Sequence, residues 1–306
     1  MSQQLWSPSS LGGYLGNDQL SKQIRHAAQT MQKFRQFVDP EPAAGKSKGE
    51  NVLFDKISNI SSQGGTLTET STIPKRNYTI QQGTLTVAEW GNAVAHTLKA
   101  ATLAEVSVPD IVQTVLKNDM AKVLDSAAAV QFQTSDYKAT ITNTATTTFA
   151  SAGTAPAAAG ANMSDKNVRD IVDQMKKLNI PQSNGIYNAV CSTNAIRGLY
   201  DFFESKAQNT TMDPLMIGEV GKYYGCRFVE ETNILSNALS TYYGEAVFFG
   251  SDAVREGIVL PEEIRIDIPK DFGRDMATAW YALLGFVKTW DFSTDGETRI
   301  IHVTST

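Results

Sequence analysis

Cysteine is nearly missing from this chain of 306 residues: it holds 2. Cys191 and Cys226 are far apart, with no CxxC or Cys/His spacing near either, which excludes a disulfide framework and a thiolate metal centre. Each lies in a strand-like run, IYNAVCS or YYGCRFVEE, and reads as a small core residue. Basic charge is also short, with 27 Lys and Arg against 32 Asp and Glu, a net charge of -5 and a pI near 5.3. Lys and Arg form no long block, so a dedicated nucleic-acid reader is excluded and any DNA contact is local and weak. Long apolar runs are absent too. The longest, Met276 to Val287, is about a dozen residues against the ~20 that span a bilayer, so no membrane association is expected. The opening MSQQLWSPSS has neither a basic nor an apolar region, and a soluble protein made in a cytoplasm is the expectation.

Catalytic signals are equally thin. The 3 histidines, His26, His96 and His302, fall in an arm, a strand and a terminal strand, with no GxSxG and no HExxH around them. Glu230 with Glu231, and Glu262 with Glu263, are adjacent and point opposite ways on a strand, which is poor geometry for shared acid/base work. Gly45, Lys46 and Ser47 resemble the end of a phosphate-binding loop, GxxxxGK[ST]. Pro40 stands where its first glycine belongs and no buried-strand pattern precedes it, so the stretch reads as a solvated turn. No catalytic residue, metal ligand or cofactor site is assigned.

What the chain does have is one long amphipathic helix, Ala104 to Phe132. Ser107 with Asp110 has capping-box spacing, and Pro109 sits in the first turn, where its missing N–H costs nothing. Val112, Leu116, Met120, Val123 and Ala127 recur at helical spacing, with Ile111 and Val115 beside them. Such a helix spans roughly 35 to 40 Å and needs a sheet to lie on.

The other parts fall around it. Residues 1 to about 50 are polar and broken by Gly12, Gly13, Pro40 and Pro42, with a helical island near Asp18 to Phe37; an arm is expected. VLFDKISNI and NYTIQQGTLTV make a long hairpin around the polar turn SSQGGTLTETSTIPKR, and its tip, with Glu69, Lys75 and Arg76, suits another subunit's surface. After the helix, residues 139–163 are a Thr/Ala-rich tract whose first half has strand character and whose second half is a linker. An α/β rhythm follows: a helix capped by Ser164, the buried strand IYNAVCS, a helix near Asn194 to Phe203, a short helix from Pro214 to Tyr223, strands CRFVEE and GEAVFFG, and a helical turn at Ser251 to Glu256. IRIDIP, AWYALLGFVKTW and RIIHVTST then return to β structure as one sheet. Trp280, Leu284 and Phe286 form one apolar face of the middle strand and suit the long helix. Tyr281, Leu283 and Val287 form the other, which needs a second cover and offers one to a neighbouring subunit.

In order and character, AEWGNAVAHT before the helix, then YYGCRFVEETNIL, AVFFGSDAVREGIV and AWYALLGFVKTW resemble a tailed-phage major capsid protein of the HK97-like fold, similar to the N4 coat-protein-like family. The likeness covers the chain from about residue 50. It implies an α+β fold with an N-terminal arm (1–50), an extended β-hairpin loop (51–84), a peripheral domain (85–138 and 264–306) with a spine helix at about 107–132, the linker (139–163), and an inserted axial α/β domain (164–263). It implies a structural protein, not an enzyme, that assembles into pentamers and hexamers of an icosahedral head around double-stranded DNA. Assembly is expected in the host cytoplasm with a separate scaffolding protein, a portal and cement proteins as partners. Some members cross-link through a Lys and an Asn assisted by a Glu; Lys75 is the one candidate here, without an identified partner. Two other readings stand beside this one, an encapsulin-like nanocompartment shell and a soluble α/β enzyme.

Overall fold

The computed structural model describes residues 27–58, 60, 64–70, 72–104, 107–206, 221–235, 243–267 and 274–304, with backbone alone for 201–206. His26, most of the arm, part of the hairpin tip, the start of the helix expected at Pro214 and the end of IRIDIP lie outside the described residues.

In chain order the elements are a 3-10 turn Arg35–Phe37, β1 Asp39–Pro40, β2 Asn51–Ser58, β3 Thr79–Thr86, β4 Ala88–Thr97, α1 Leu98–Leu103 and α2 Val108–Gln133. Then come β5 Lys138–Asn143, β6 Thr146–Ala150, α3 Asp165–Lys177, β7 Tyr187–Cys191, α4 Thr193–Lys206, β8 Lys222–Tyr223 and β9 Cys226–Glu230. β10 Ala246–Phe249, β11 Val254–Ile266, β12 Asp275–Lys288, α5 Phe292–Asp295 and β13 Ile300–Thr304 complete them. The strands make a four-stranded sheet, β1-β11-β12-β4, a seven-stranded sheet, β6-β5-β13-β10-β7-β9-β8, and the separate ribbon β2-β3.

α2 is the expected long helix, 26 residues or about 39 Å, and it serves both sheets. Its first two thirds place Val112, Leu116 and Leu124 against Trp280, Ala282 and Leu284 of the four-stranded sheet. Its C-terminal end places Ala128, Ala129 and Phe132 against Val190, Val247, Phe249 and Ile300 of the seven-stranded sheet. The buried stripe therefore passes from Leu124 to Ala128 and leaves Ala127 half-buried, because the partner changes along the helix. Pro109 sits in the first turn as expected, but the Ser107 side chain caps nothing, so the capping box does not form there. The box forms at α3 instead, where Ser164 Oγ and the Asn167 side chain satisfy each other's backbone N–H groups.

The strand character expected of the first half of residues 139–163 is present: β5 pairs in parallel with β13 and antiparallel with β6, because Ala139, Thr140 and Ile141 are wholly or almost wholly buried. Three other expectations about the elements need correction. RIIHVTST does not close the sheet of β12. β13 lies between β5 and β10, where all five of its residues are buried, so the chain's end belongs with the inserted α/β part. The helical turn at Ser251 to Glu256 is the start of β11, a strand of 13 residues that carries Pro261 at an irregularity of its register, where a missing N–H is tolerated. The described part of the arm's helical island, from Ala27, holds only the 3-10 turn; Phe34, fully buried against Phe132, draws this segment onto the body at the expense of its own helix.

Candidate functional site

Among the described residues, the hairpin and the sheet beneath it are the features that reach furthest beyond the chain's own core. β2 and β3 pair in register from Asn51↔Thr86 to Ser58↔Thr79, so alternate residues face opposite ways. Val52, Phe54 and Lys56 face inward with Leu85, Gly83 and Gln81. Their seat is built from glycine. Gly257 and Gly285 are cross-strand partners on β11 and β12. A Cβ at Gly257 would lie 2.6 Å from Leu85 Cδ2, and one at Gly285 would collide with the Thr86 carbonyl oxygen. Gly83 is needed for the same reason, since the Phe54 ring lies across it.

A charged latch holds the next turn of the ribbon. Lys56 Nζ donates to Asp295 Oδ2 at 2.7 Å, and the Asp295 side chain is fully buried. Gln81 Nε2 donates to the Thr294 carbonyl at 3.2 Å. Beyond this point the ribbon leaves the body. Leu53, Ile57 and Ile80 on its outer face are 57%, 63% and 55% exposed, and Ile60, Leu67, Ile73 and Tyr78 continue the apolar row toward the tip. Covering what these seven side chains still expose is worth on the order of 6 to 12 kcal/mol gross. That compares with an association cost of ~4 to 15 kcal/mol. The row can carry a contact by itself, but only if most of it is covered. Glu69, Lys75 and Arg76 are exposed around it.

The expected second cover of β12 comes mostly from inside the chain. Trp280 and Leu284 face α2 as their spacing implies, with Trp280 Nε1 donating to Asp119 Oδ2 at 2.9 Å. On the opposite face Leu283 and Val287 pack against Val52, Leu85 and Val87 at the hairpin root, which leaves both half-buried. Tyr281 lies past the root, under the Arg265 guanidinium at 4.2 Å. Across from it, Gly91, Ala93 and Ala95 of β4 pair with Tyr281, Ala279 and Ala277, and the three β4 residues are exposed. This far half of the sheet is smooth and bare.

The arm is tied down by ion pairs that sequence reasoning missed. Arg35 reaches Glu256 at 2.9 Å and Glu262 at 2.8 Å, and Arg255 reaches Glu41 at 2.6 Å and Asp252 at 2.8 Å. Burial raises the Glu256 carboxyl against the pull of Arg35, whereas the hydrogen bond from Arg35 holds Glu262 below the usual range. Glu263 turns instead to Arg265, so these adjacent glutamates diverge as expected. Glu230 accepts from Thr193 Oγ1 while Glu231 folds under residues 233–235, so that pair diverges too. His302 lies in the seven-stranded sheet against Glu245 at 2.6 Å, and His96 lies in β4. Burial pushes both cysteine thiols up, away from reactivity. Gly45 to Ser47 sit in turns that lead into β2, without the strand-to-helix frame of a phosphate loop. Among the described residues no group of His, Cys, Asp and Glu is placed to hold a metal ion.

No family model matches the sequence, and no curated protein does. The fold, however, has many counterparts among solved structures. A structure from Mycobacterium phage Che8 superposes with a TM-score of 0.68 at 13% identity, over 94% of this chain and 96% of that one. The head structure of Helicobacter pylori bacteriophage KHP40 gives 0.70 at 12% identity, over 94% and 95%. The capsid of a native GTA particle gives 0.61 at 15% identity, over 98% and 99%. The fold is that of HK97-like phage capsid proteins. The glycine seat had a signal in the sequence, since a glycine inside the apolar run LLGFV marks close approach of another backbone. Lys56 and Asp295, far apart in sequence, had none.

Proposed function

We propose that this chain is the major capsid protein of a tailed phage, assembling head to tail into pentamers and hexamers of an icosahedral head that encloses double-stranded DNA. The observation that carries this reading is the pairing of a near full-length capsid fold with two unlike bare surfaces: the apolar hairpin row and the far half of the four-stranded sheet. Head-to-tail rings require two different patches on one subunit, and closure into rings follows when each patch fits the other. The hairpin row with Glu69, Lys75 and Arg76 is one patch; Tyr281 with its alanine neighbours is the other. Leu283 and Val287 support the first from beneath.

The division of labour follows the sheets. Residues 1–50 act as the arm and 51–84, with the β2-β3 ribbon, as the extended loop. α2, as the spine helix, forms the peripheral part with β4, β11 and β12; residues 164–253 with β5, β6 and β13 form the axial part. Placement near the N4 coat proteins rests on the sequence resemblance. A scaffolding protein, a portal and cement proteins are the expected partners, and the host cytoplasm is the site of assembly. Negative-stain microscopy of the protein, expressed alone and with the scaffolding protein of its phage, is expected to show shells or capsomer rings. Nuclease-protected DNA inside native particles supports a phage head; a cargo protein in its place supports an encapsulin-like compartment. A strictly monomeric protein under every condition contradicts both.

A further inference from the structure

The arm, α2 and the segment after β9 meet at two buried carboxylates that, among the described residues, have no cation paired with them. Asp125 of α2 is 3% exposed and Glu231 is fully buried. Asp125 Oδ1 accepts the Arg35 N–H at 3.0 Å, with the N–H groups of Phe34 and Lys33 and the Asn233 amide also directed at the carboxyl. Glu231 accepts the N–H groups of Asn233, Ile234 at 3.1 Å and Leu235 at 3.2 Å. Asn233 then stitches the junction: its Nδ2 donates to Ser126 Oγ at 2.9 Å and its Oδ1 accepts from Thr30 Oγ1 at 3.2 Å. Met31 N donates to Thr232 Oγ1 at 3.0 Å beside it.

The charges around the pair are Lys33 and Arg35 from the arm, Lys122 from α2, Glu230 beside Glu231, and Glu256 and Glu262 from β11. Arg35 commits its guanidinium to the two β11 glutamates, and Glu230 is turned to Thr193. Among the described residues no cation makes an ion pair with Asp125 or Glu231, and the two carboxylates repel each other. Asp125 Oδ2 is buried with no hydrogen-bond partner among the described residues. An ionised oxygen left in that state is costly, and a proton removes both the lone charge and the repulsion.

We propose that Asp125 and Glu231 form a proton-linked clamp that holds the N-terminal arm on the body more tightly as the pH falls. Burial raises both carboxyls above their ordinary range. The sign follows: the folded junction prefers the protonated pair, so its hold strengthens on acidification toward the raised values and weakens as both groups ionise. The clamp acts in the isolated subunit, whatever it assembles into.

Hydrogen exchange of the full-length protein tests this, read on peptides covering residues 30–38 and 230–235 and corrected for intrinsic exchange. Protection is expected to rise as the pH is lowered from 8 to 5, in the direction the raised carboxyls set. A peptide from α3 should not change. Asp125→Asn, which keeps the acceptor for Arg35 but loses the charge, should flatten the dependence and hold the arm at the acid level of protection. Equal protection at both pH values in the native protein, or an unchanged dependence in Asp125→Asn and Glu231→Gln, overturns the clamp. If either variant fails to fold, infrared spectroscopy decides. A protonated-carboxyl band at mildly acid pH that survives Glu256→Gln with Asp291→Asn supports the proposal; its absence overturns it.

Discussion

At the residue scale, the positions that matter most are ones where a side chain is excluded or a charge is buried. Gly285 lets the Thr86 carbonyl approach β12, so Gly285→Val forces the hairpin root off its seat. A loss of about 1 to 3 kcal/mol in urea unfolding is expected, with early proteolysis within 51–86. Lys56 and Asp295 pair at 2.7 Å with little solvent. Replacing one partner, as in Lys56→Met, leaves a buried charge and costs about 3 to 5 kcal/mol, while Lys56→Met with Asp295→Leu costs clearly less than the two single changes summed. The carboxyls also set a pH profile. Glu41 and Glu262 are held low by arginines, so their contribution is complete above the ordinary carboxylate range and is lost as pH falls below about 4. Asp125, Glu231 and Glu256 are raised by burial and work in the opposite sense, favouring the folded state as pH falls toward their values. Thermal stability should therefore peak in the mildly acid range, and Glu41→Gln should shrink the loss on the acid side. A profile that rises steadily to alkaline pH contradicts these assignments.

At the element scale, periodicity makes α2, α3, β7 and both faces of β12 legible from the amino-acid order alone. Each carries a local pattern strong enough to identify it, and Trp280 and Leu284 meet the helix as their spacing implies. What was hidden depends on partners distant in the chain. β13 reads as the mate of β12 because it follows it, yet it pairs with β5 and β10. Leu283 and Val287 read as awaiting another subunit; that Val52 and Leu85 pack against them is a contact across some 200 residues that no local pattern encodes. The same limit hid Arg35 and Asp125. The hairpin itself, by contrast, was legible, because two β-rich runs flank a long polar turn, and β2 and β3 pair in register. Deleting Ser61 to Arg76 should leave the far-ultraviolet circular dichroism near that of the intact protein, since the root contacts survive, and should stop shell formation. Normal shells from that deletion would remove the hairpin's assigned role.

At the scale of the whole molecule, one helix of 26 residues joins two sheets, and the chain leaves an apolar ribbon and a smooth sheet face bare. A chain of 33.3 kDa gains little as a monomer from such surfaces and much as a ring member. The most direct measurement is cryo-electron microscopy of the protein expressed alone and together with the proposed scaffolding protein. An icosahedral shell is expected, with Ile57 and Ile80 of each hairpin laid against the Ala93 and Tyr281 face of the adjacent subunit. A protein that stays a single 33.3 kDa subunit, or a shell in which the hairpin row faces solvent, contradicts the proposal.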